Sequence, residues 1–208
     1  DTTDNVVIAQ TATVNFAAGA PDPTNSTVTA SPTSVTANGA TTSTITVTLL
    51  TRGSAPVSGK TVTLASSRGA TDTTSAASGV SSGSGVVTFT VKSTTAGSAI
   101  FTATDTTDVM VVAQTAMVTF TPTSVSATNS PVMASPAAVA ADGVAASTIS
   151  VTLKDAYNNP VSGKTVALAS SRPTQDTISG ASGASTTNGL VTFTVTSVTN
   201  GSSVFTAT

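Results

Sequence analysis

Nine aspartates are the only acidic side chains in this 208-residue chain, which contains no His, Cys, Trp or Glu. Without Cys and His, the chain cannot form a zinc site, an iron–sulfur cluster, a thiol nucleophile or a Ser–His–Asp triad. Hydrolysis by paired carboxylates would depend on scattered aspartates alone. We therefore predict that the chain is not an enzyme and carries no cofactor.

The closest acidic pairs lie in two copies of the sequence DTTD, as Asp1 with Asp4 and as Asp105 with Asp108. Two carboxylates three residues apart are candidate ligands for Ca²⁺, which takes about six to eight oxygens. Only two acidic residues are local to each copy, so we favour turn residues whose carboxylates accept main-chain hydrogen bonds. We therefore predict that the chain has no metal site. If calcium does bind, these four aspartates are the candidate ligands.

Three further residues are candidates for contact or modification. Tyr157 is the only tyrosine and lies in the loop sequence DAYNN, where it either contacts a partner or packs at the end of a domain. Asn25 and Asn200 each begin an Asn-x-Ser/Thr sequence, which is the acceptor pattern for N-linked glycans.

Charge is scarce, at 8% of residues against about 25% in an ordinary globular protein. Seven basic residues and a net charge of −2 do not supply the clustered cations that bind phosphate, so we predict no nucleic-acid partner. No apolar run reaches the ~20 residues of a spanning helix, so we expect no membrane insertion by this segment. Hydrophobic content of 38% favours an ordered chain over a disordered one.

The sequence repeats itself with an offset of 104 residues. Residues 1–16 match 105–120, residues 56–68 match 160–172, and residues 87–91 match 191–195. Because both copies fill the chain without a gap, we interpret it as two whole periods.

Short alternating segments within each period predict β-strands. Alternation in residues 45–49 places Ile45, Val47 and Leu49 on one face, and residues 87–91 show the same pattern. Asn-Gly, Asp-Gly or Ser-Gly pairs at 38–39, 58–59, 142–143 and 188–189 predict turns. About seven strands per period, with no helical periodicity, predict an all-β chain of two antiparallel sandwiches.

Residues 30–50, followed by PVSGKTVTLAS, resemble the bacterial immunoglobulin-like repeats of invasin- and intimin-type surface proteins, and the second period is the closer match. Residues 134–170 carry that family's D-x-x-x-N-P-V-S-G loop as Asp155, Asn159, Pro160, Val161, Ser162 and Gly163. The first period has TRGSAPVSG there, so it loses the Asp and the Asn and keeps only the turn residues. The resemblance implies an immunoglobulin-like sandwich and a non-enzymatic role outside the cell, at the cell surface.

The resemblance also implies where each domain begins and ends. Family domains begin near the position of Ser26 or Ser130 and end with a strand like residues 1–16 or 105–120. We therefore expect an orphan final strand at 1–16, a complete domain at 25–121, and a domain at 128–208 that lacks its final strand. The segment is then either a window on a long tandem protein or a subunit whose first strand completes its neighbour.

An incomplete sandwich exposes unpaired main-chain groups and an apolar slot. The side chains that would fill it are those on one face of the orphan strand: Val6, Ile8, Ala12, Val14 and Phe16. Their burial would contribute about 8 kcal/mol as an upper estimate. We expect residues 1–16 to pair with an open sandwich, in the same chain or the next.

The favoured function is a structural repeat unit of an extracellular filament or long cell-surface protein, with copies of itself or adjacent repeats as partners. The alternative is a stalk or ligand-binding segment of an adhesin that contacts a host or surface ligand. An accessory module of a secreted enzyme is disfavoured. Such modules usually bind sugars through a surface strip of Trp and Tyr, and this chain has no Trp and one Tyr.

Overall fold

The computed structural model of the chain describes residues 2–5, 7–15, 19–180 and 182–208. Two groups of strands follow one another, and we call residues 27–121 domain 1 and residues 132–207 domain 2. Within the described residues, every regular element is a β-strand except one 3-10 turn, Gly69–Thr71. The predicted all-β fold is confirmed.

Domain 1 has ten strands, more than the seven predicted, because pieces of two or three residues flank the longer strands. They are β1 (Thr27–Ser31), β2 (Ser34–Thr36), β3 (Ser43–Thr48), β4 (Thr61–Ser66), β5 (Asp72–Thr74), β6 (Ser78–Val80), β7 (Val86–Ser93), β8 (Gly97–Asp105), β9 (Met110–Val111) and β10 (Ala116–Thr121).

Two sheets form the sandwich of domain 1. One has the order β1-β3-β7-β5, and the other has the order β2-β10-β8-β4-β6, with β9 beside β8. Strands β2 and β10 are parallel, and the other pairs are antiparallel. The predicted alternation is confirmed, because Ile45, Val47 and Leu49 are fully buried in the core. Phe89, Phe101 and Phe120 complete that core from both sheets.

Domain 2 has seven strands, each the counterpart of a domain 1 strand 104 positions earlier. They are β11 (Val132–Ser135), β12 (Ser147–Thr152), β13 (Thr165–Ser170), β14 (Asp176–Ser179), β15 (Ser182–Ala184), β16 (Leu190–Ser197) and β17 (Phe205–Ala207). The first sheet, β11-β12-β16-β14, keeps the order of domain 1, whereas the second has only three strands, β15-β13-β17. Among the described residues, no strand of domain 2 corresponds to β2, β9 or β10.

Burial in domain 2 reflects these missing strands. Val28 and Val35 of domain 1 are 1% and 5% exposed, but their counterparts Val132 and Val139 are 42% and 41% exposed. In domain 1, β10 contacts β1 and pairs with β2, so it covers both valines. Domain 2 therefore presents apolar side chains that a tenth strand covers in domain 1.

Two glycines lie against the loop that follows β3 in domain 1 and β12 in domain 2. Gly85 and Gly189 have φ of +75° and +73°, and an added Cβ would lie 2.4 Å and 2.3 Å from the carbonyl oxygens of Leu49 and Leu153. Neither the conformation nor the space accommodates a side chain. This close approach fixes the start of the loops at 49–57 and 153–161.

Residues 7–15 form no strand and are exposed in the single chain. Ile8 and Val14 are 69% and 68% exposed, and Ala12 is also exposed. The described part of this segment therefore joins neither sheet of either domain in the single chain. Asp1, Val6 and Phe16 lie outside the described residues, and pairing with an adjacent repeat stays a prediction.

Candidate functional sites at the domain junction and the open sheet edge

The loop between β12 and β13 forms a site where the two domains meet. Its Asp155 is fully buried. One carboxylate oxygen accepts the N–H groups of Tyr157 and Asn159, both at 2.8 Å. The other accepts the Thr123 N–H and the Asn159 side-chain amide, both at 2.9 Å. Because Thr123 belongs to the segment between the domains, this carboxylate ties the loop to the linker.

The same loop reaches across to domain 1. The Asn159 side chain donates to the Thr94 carbonyl at 2.9 Å and accepts the Ala96 N–H at 2.8 Å. The Tyr157 hydroxyl donates to the Asn38 carbonyl at 2.9 Å, while the side chain stays 44% exposed. Three hydrogen bonds thus join domain 2 to the turns at the end of domain 1, and we call this set the junction clamp.

The corresponding loop of domain 1 has the same backbone without these side chains. Thr51 N–H donates to Ala55 O at 2.8 Å, as Asp155 N–H does to Asn159 O at 2.9 Å. Thr51, Gly53 and Ala55 stand where domain 2 carries Asp, Tyr and Asn. The two loops therefore differ in their side chains: only the loop of domain 2 carries the Tyr and the Asn that bind a neighbouring domain.

Burial raises the pKa of Asp155, but the hydrogen bonds from the Asn159 side chain and from three main-chain N–H groups outweigh it. The pKa of this carboxyl consequently lies below its ordinary value of 3.8. A carboxyl whose folded pKa is lowered adds stability above its ordinary pKa. That stability is lost as the pH falls through the folded value.

We expect the junction clamp to loosen in acid, below about pH 4, while the sheets persist. Tyr157 is the only tyrosine, and the chain has no tryptophan, so intrinsic fluorescence reports on the junction alone. Acid titration should show a fluorescence step before circular dichroism records loss of strand structure. The Asp155→Asn variant should lack that step, and fluorescence that changes only with the sheets in both proteins would contradict the assignment.

The open edge of domain 2 is the second site, a cavity of about 460 Å³. Phe205 of β17 lines one side, Ile149 and Val195 of the other sheet line the opposite side, and residues 137–141 close a third. The counterparts of residues 137–141 include β2, which pairs with β10. The cavity therefore marks the place that β10 fills in domain 1.

Arg172 lies at the end of this cavity. In domain 1, the Arg68 guanidinium pairs with Asp72 and lies 4.9 Å from the centre of the Phe120 ring, in the range of a cation–π contact. In domain 2, Arg172 pairs with Asp176 at 3.0 Å, and no ring among the described residues covers it. A strand that completes domain 2 should bring an aromatic residue to this position.

Residues 8–16 resemble in sequence the segment that fills this place in domain 1. They repeat residues 112–120 with the same residue at six of nine positions: 9, 10, 11, 12, 14 and 16. Three of these are the counterparts of Ala116, Val118 and Phe120, which are at most 5% exposed in β10. The residue types that β10 buries are thus repeated at positions 12, 14 and 16, and the aromatic residue at position 16 is the counterpart of the ring over Arg68.

Gln10 interrupts the apolar face of this segment, and sequence reasoning gave it no function. Its counterpart Gln114 accepts the main-chain N–H of Val28 at 3.3 Å. The glutamine therefore links the segment before β10 to the first strand of the sandwich. A polar residue at an inward position was the signal that could have revealed this contact.

Of the candidate calcium ligands, Asp4 and Asp108 lie in turns at residues 2–5 and 106–109, and Asp105 is the last residue of β8. Asp105 is buried and accepts the Thr107 N–H at 2.8 Å. Asp108 pairs with Lys60 at 2.7 Å, and the hydrogen bond from that ammonium lowers the pKa of Asp108. Asp4 is exposed, and Asp1 lies outside the described residues. The part of the chain that the structure describes contains no group of three or more acidic residues placed to hold a metal.

The two candidate glycosylation sites differ in environment. The Asn25 amide donates to the carbonyls of Thr51 and Arg52 at 3.2 Å and 2.8 Å, so a glycan would have to replace part of this contact. Asn200 is exposed at the far end of domain 2. Glycosylation stays a prediction at both.

No helix in the described part of the chain is long and apolar enough to cross a membrane. No curated protein sequence matches the chain.

The two domains match two family models. Residues 22–123 match domain 3 of invasin, and residues 129–208 match the bacterial Ig-like domain of group 1. Among solved structures, InvD of Yersinia pseudotuberculosis is similar at 25% identity and a TM-score of 0.65, over 89% of this chain and 53% of that one. The Escherichia coli adhesin FdeC is similar at 25% identity and a TM-score of 0.65, over 88% of this chain and 57% of that one. The chain thus spans little more than half the length of either structure, and its two domains belong to the bacterial immunoglobulin-like families whose models they match, domain 1 to invasin domain 3 and domain 2 to group 1.

Proposed function

We propose that the chain is a structural stalk segment of a bacterial cell-surface adhesin, in which sandwiches are joined end to end. In this arrangement, residues 1–16 complete the open sandwich of an adjacent repeat, in a second copy or in the same long chain. One observation carries the proposal: β10 fills a slot in domain 1 that is open in domain 2, and its sequence recurs at residues 8–16.

The junction clamp supports a mechanical role. The buried Asp155 carboxylate and the Asn159 amide hold domain 2 in one orientation relative to domain 1. A series of such junctions would keep the stalk stiff. FdeC, a similar protein, is an adhesin by name. Binding of a host or surface ligand by this segment itself is the weaker candidate, because the Tyr157 hydroxyl is engaged within the chain.

The proposal predicts that a separate peptide can complete the open sandwich of domain 2. A chain that lacks residues 1–16 should bind a peptide of residues 1–16, and the peptide should raise the melting temperature of domain 2, because binding to the folded state stabilises it. Calorimetry and titration measure both effects. The intact chain at rising concentration should assemble head to tail, as seen by sedimentation and electron microscopy.

A peptide with Val14→Asp is the matched control, since a charge cannot enter the apolar slot. Stabilisation by the parent peptide without assembly of the intact chain would indicate completion within a longer covalent chain. Neither binding nor stabilisation by the parent peptide would refute the proposed completion.

A further inference from the structure

The junction clamp uses only main-chain groups of domain 1. The Tyr157 hydroxyl binds the carbonyl of Asn38, and the Asn159 side chain binds the carbonyl of Thr94 and the N–H of Ala96. Any domain with the same backbone at these positions would therefore offer the same surface, whatever its side chains.

Domain 2 has that backbone at its far end. Gly39 and its counterpart Gly143 have φ of +70° and +78°, and Gly97 and Gly201 both have φ of +129°. The N–H of Gly39 donates to the Ser93 carbonyl at 3.0 Å, and that of Gly143 donates to the Ser197 carbonyl at 2.9 Å.

The turn between β16 and β17 is also held in the same way as its counterpart. Arg68 donates to the carbonyls of Thr95 and Ala96 at 3.1 Å and 3.2 Å. Arg172 donates to the carbonyls of Thr199 and Asn200 at 3.4 Å and 3.1 Å. An arginine holds this turn in both domains. The turn of domain 2 therefore already has the conformation that the clamp binds in domain 1, before any partner is present.

The three groups equivalent to those bound by the clamp are the Asp142 carbonyl, the Val198 carbonyl and the Asn200 N–H. All three residues are exposed, and none of these three groups has a hydrogen-bond partner among the described residues. Val144 and Val198 are 82% and 71% exposed on the same end, which adds apolar surface suited to an aromatic loop.

We propose that this end of domain 2 is a docking surface for another immunoglobulin-like domain whose loop carries Asp-x-Tyr-x-Asn. Continuity with the junction clamp identifies the occupant, because the same main-chain surface binds that loop in domain 1. The inference rests on the proposed end-to-end arrangement. Domain 1 of a second copy has the right loop backbone, with Ser54 at φ +62° against Asn158 at φ +66°, but lacks the three side chains.

Two copies of the full chain fused directly, Thr208 to Asp1, test the inference. The second copy carries Thr51→Asp, Gly53→Tyr and Ala55→Asn, or is left unchanged. Because the chain has no cysteine, spin labels at Thr194→Cys of the first copy and Thr88→Cys of the second report the distance across the new junction. Labels at Thr88→Cys and Thr194→Cys of one copy span its own junction clamp, and the width of their distance distribution is the reference.

We expect the substituted junction to give a distance distribution as narrow as the reference, and the unchanged junction to give a broader one. Asn200→Pro in the first copy removes the N–H donor and should restore the broad distribution. The double variant Thr51→Asp/Ala55→Asn, which leaves Gly53 in place, should narrow the distribution in part and guards against misfolding of the triple variant.

Equal widths with and without the substitutions would overturn the inference. Failure of the proposed strand completion has a separate readout. In that case, the melting temperature of domain 2 in the first copy would be no higher than in the single chain. The two outcomes are therefore distinguishable in the same fused protein.

Discussion

Val118→Asp should unfold domain 1, whereas Val14→Asp should leave the stability of the free chain unchanged. Val118 is fully buried in β10, and an unpaired charge at that position should cost about 4 kcal/mol or more. A cost of this size approaches the lower end of the about 5–15 kcal/mol of net stability that an ordinary domain has. Val14 occupies the same position of the repeat but is 68% exposed, so the change should fall within about 0.5 kcal/mol.

Calorimetry at low concentration measures this difference, and Met117→Thr supplies the benign control. Met117 is 57% exposed on the outer face of β10, and the first copy carries threonine at that position. If Val14→Asp keeps the melting temperature but removes assembly at high concentration, the segment acts only between repeats. A large loss of stability in the dilute Val14→Asp chain would contradict the exposed placement of this segment.

The strand faces and turns could be predicted from the sequence because both depend on local patterns. Alternation identified Ile45, Val47 and Leu49 as core residues, and the pair Asn38-Gly39 identified a turn that has positive φ. The resemblance in the second period similarly identified the fold, since the loop sequence with Asp155 is specific to a family. These features are determined within a few residues along the chain.

The junction could not be predicted in this way. Asn159 contacts Ala96 across 63 residues, and Tyr157 contacts Asn38 across 119. Both partners are main-chain groups, which leave no side-chain signature in the sequence. The loop was therefore identified only as a family motif, and Tyr157 only as either a contact or a packing residue.

The open edge was predicted as a missing strand, but the contacts that define the slot were not. Gln114, the counterpart of Gln10, contacts Val28 of β1, and Arg68, the counterpart of Arg172, contacts Phe120 of β10. Such contacts depend on which strands become neighbours, and pairing order is a property of the whole sandwich. Residues 7–15 are exposed in the single chain, so the expected pairing of residues 1–16 with an open sandwich, in the same chain or the next, stays a prediction.

Asp155→Ala should weaken domain 2 and release it from domain 1, by about 2 to 4 kcal/mol, because three buried or half-buried N–H groups lose their acceptor. Those groups belong to Thr123, Tyr157 and Asn159. The matched control is Thr51→Ala in domain 1, where the hydroxyl accepts only the Ala55 N–H at 3.1 Å, and about 1 kcal/mol is expected.

Calorimetry gives the stability of each domain, and spin labels at Thr88→Cys and Thr194→Cys give the spread of orientations between them. Asp155→Ala should lower the melting temperature of domain 2 and broaden the distance distribution, whereas Thr51→Ala should do neither to a comparable extent. Asn159→Ala separates the two effects, since it removes both side-chain contacts to domain 1 while leaving three main-chain donors on Asp155. If its distribution stayed narrow, the Thr123 bond to Asp155 and the Tyr157 bond to Asn38 would suffice to hold the junction, and the clamp role assigned to Asn159 would be wrong.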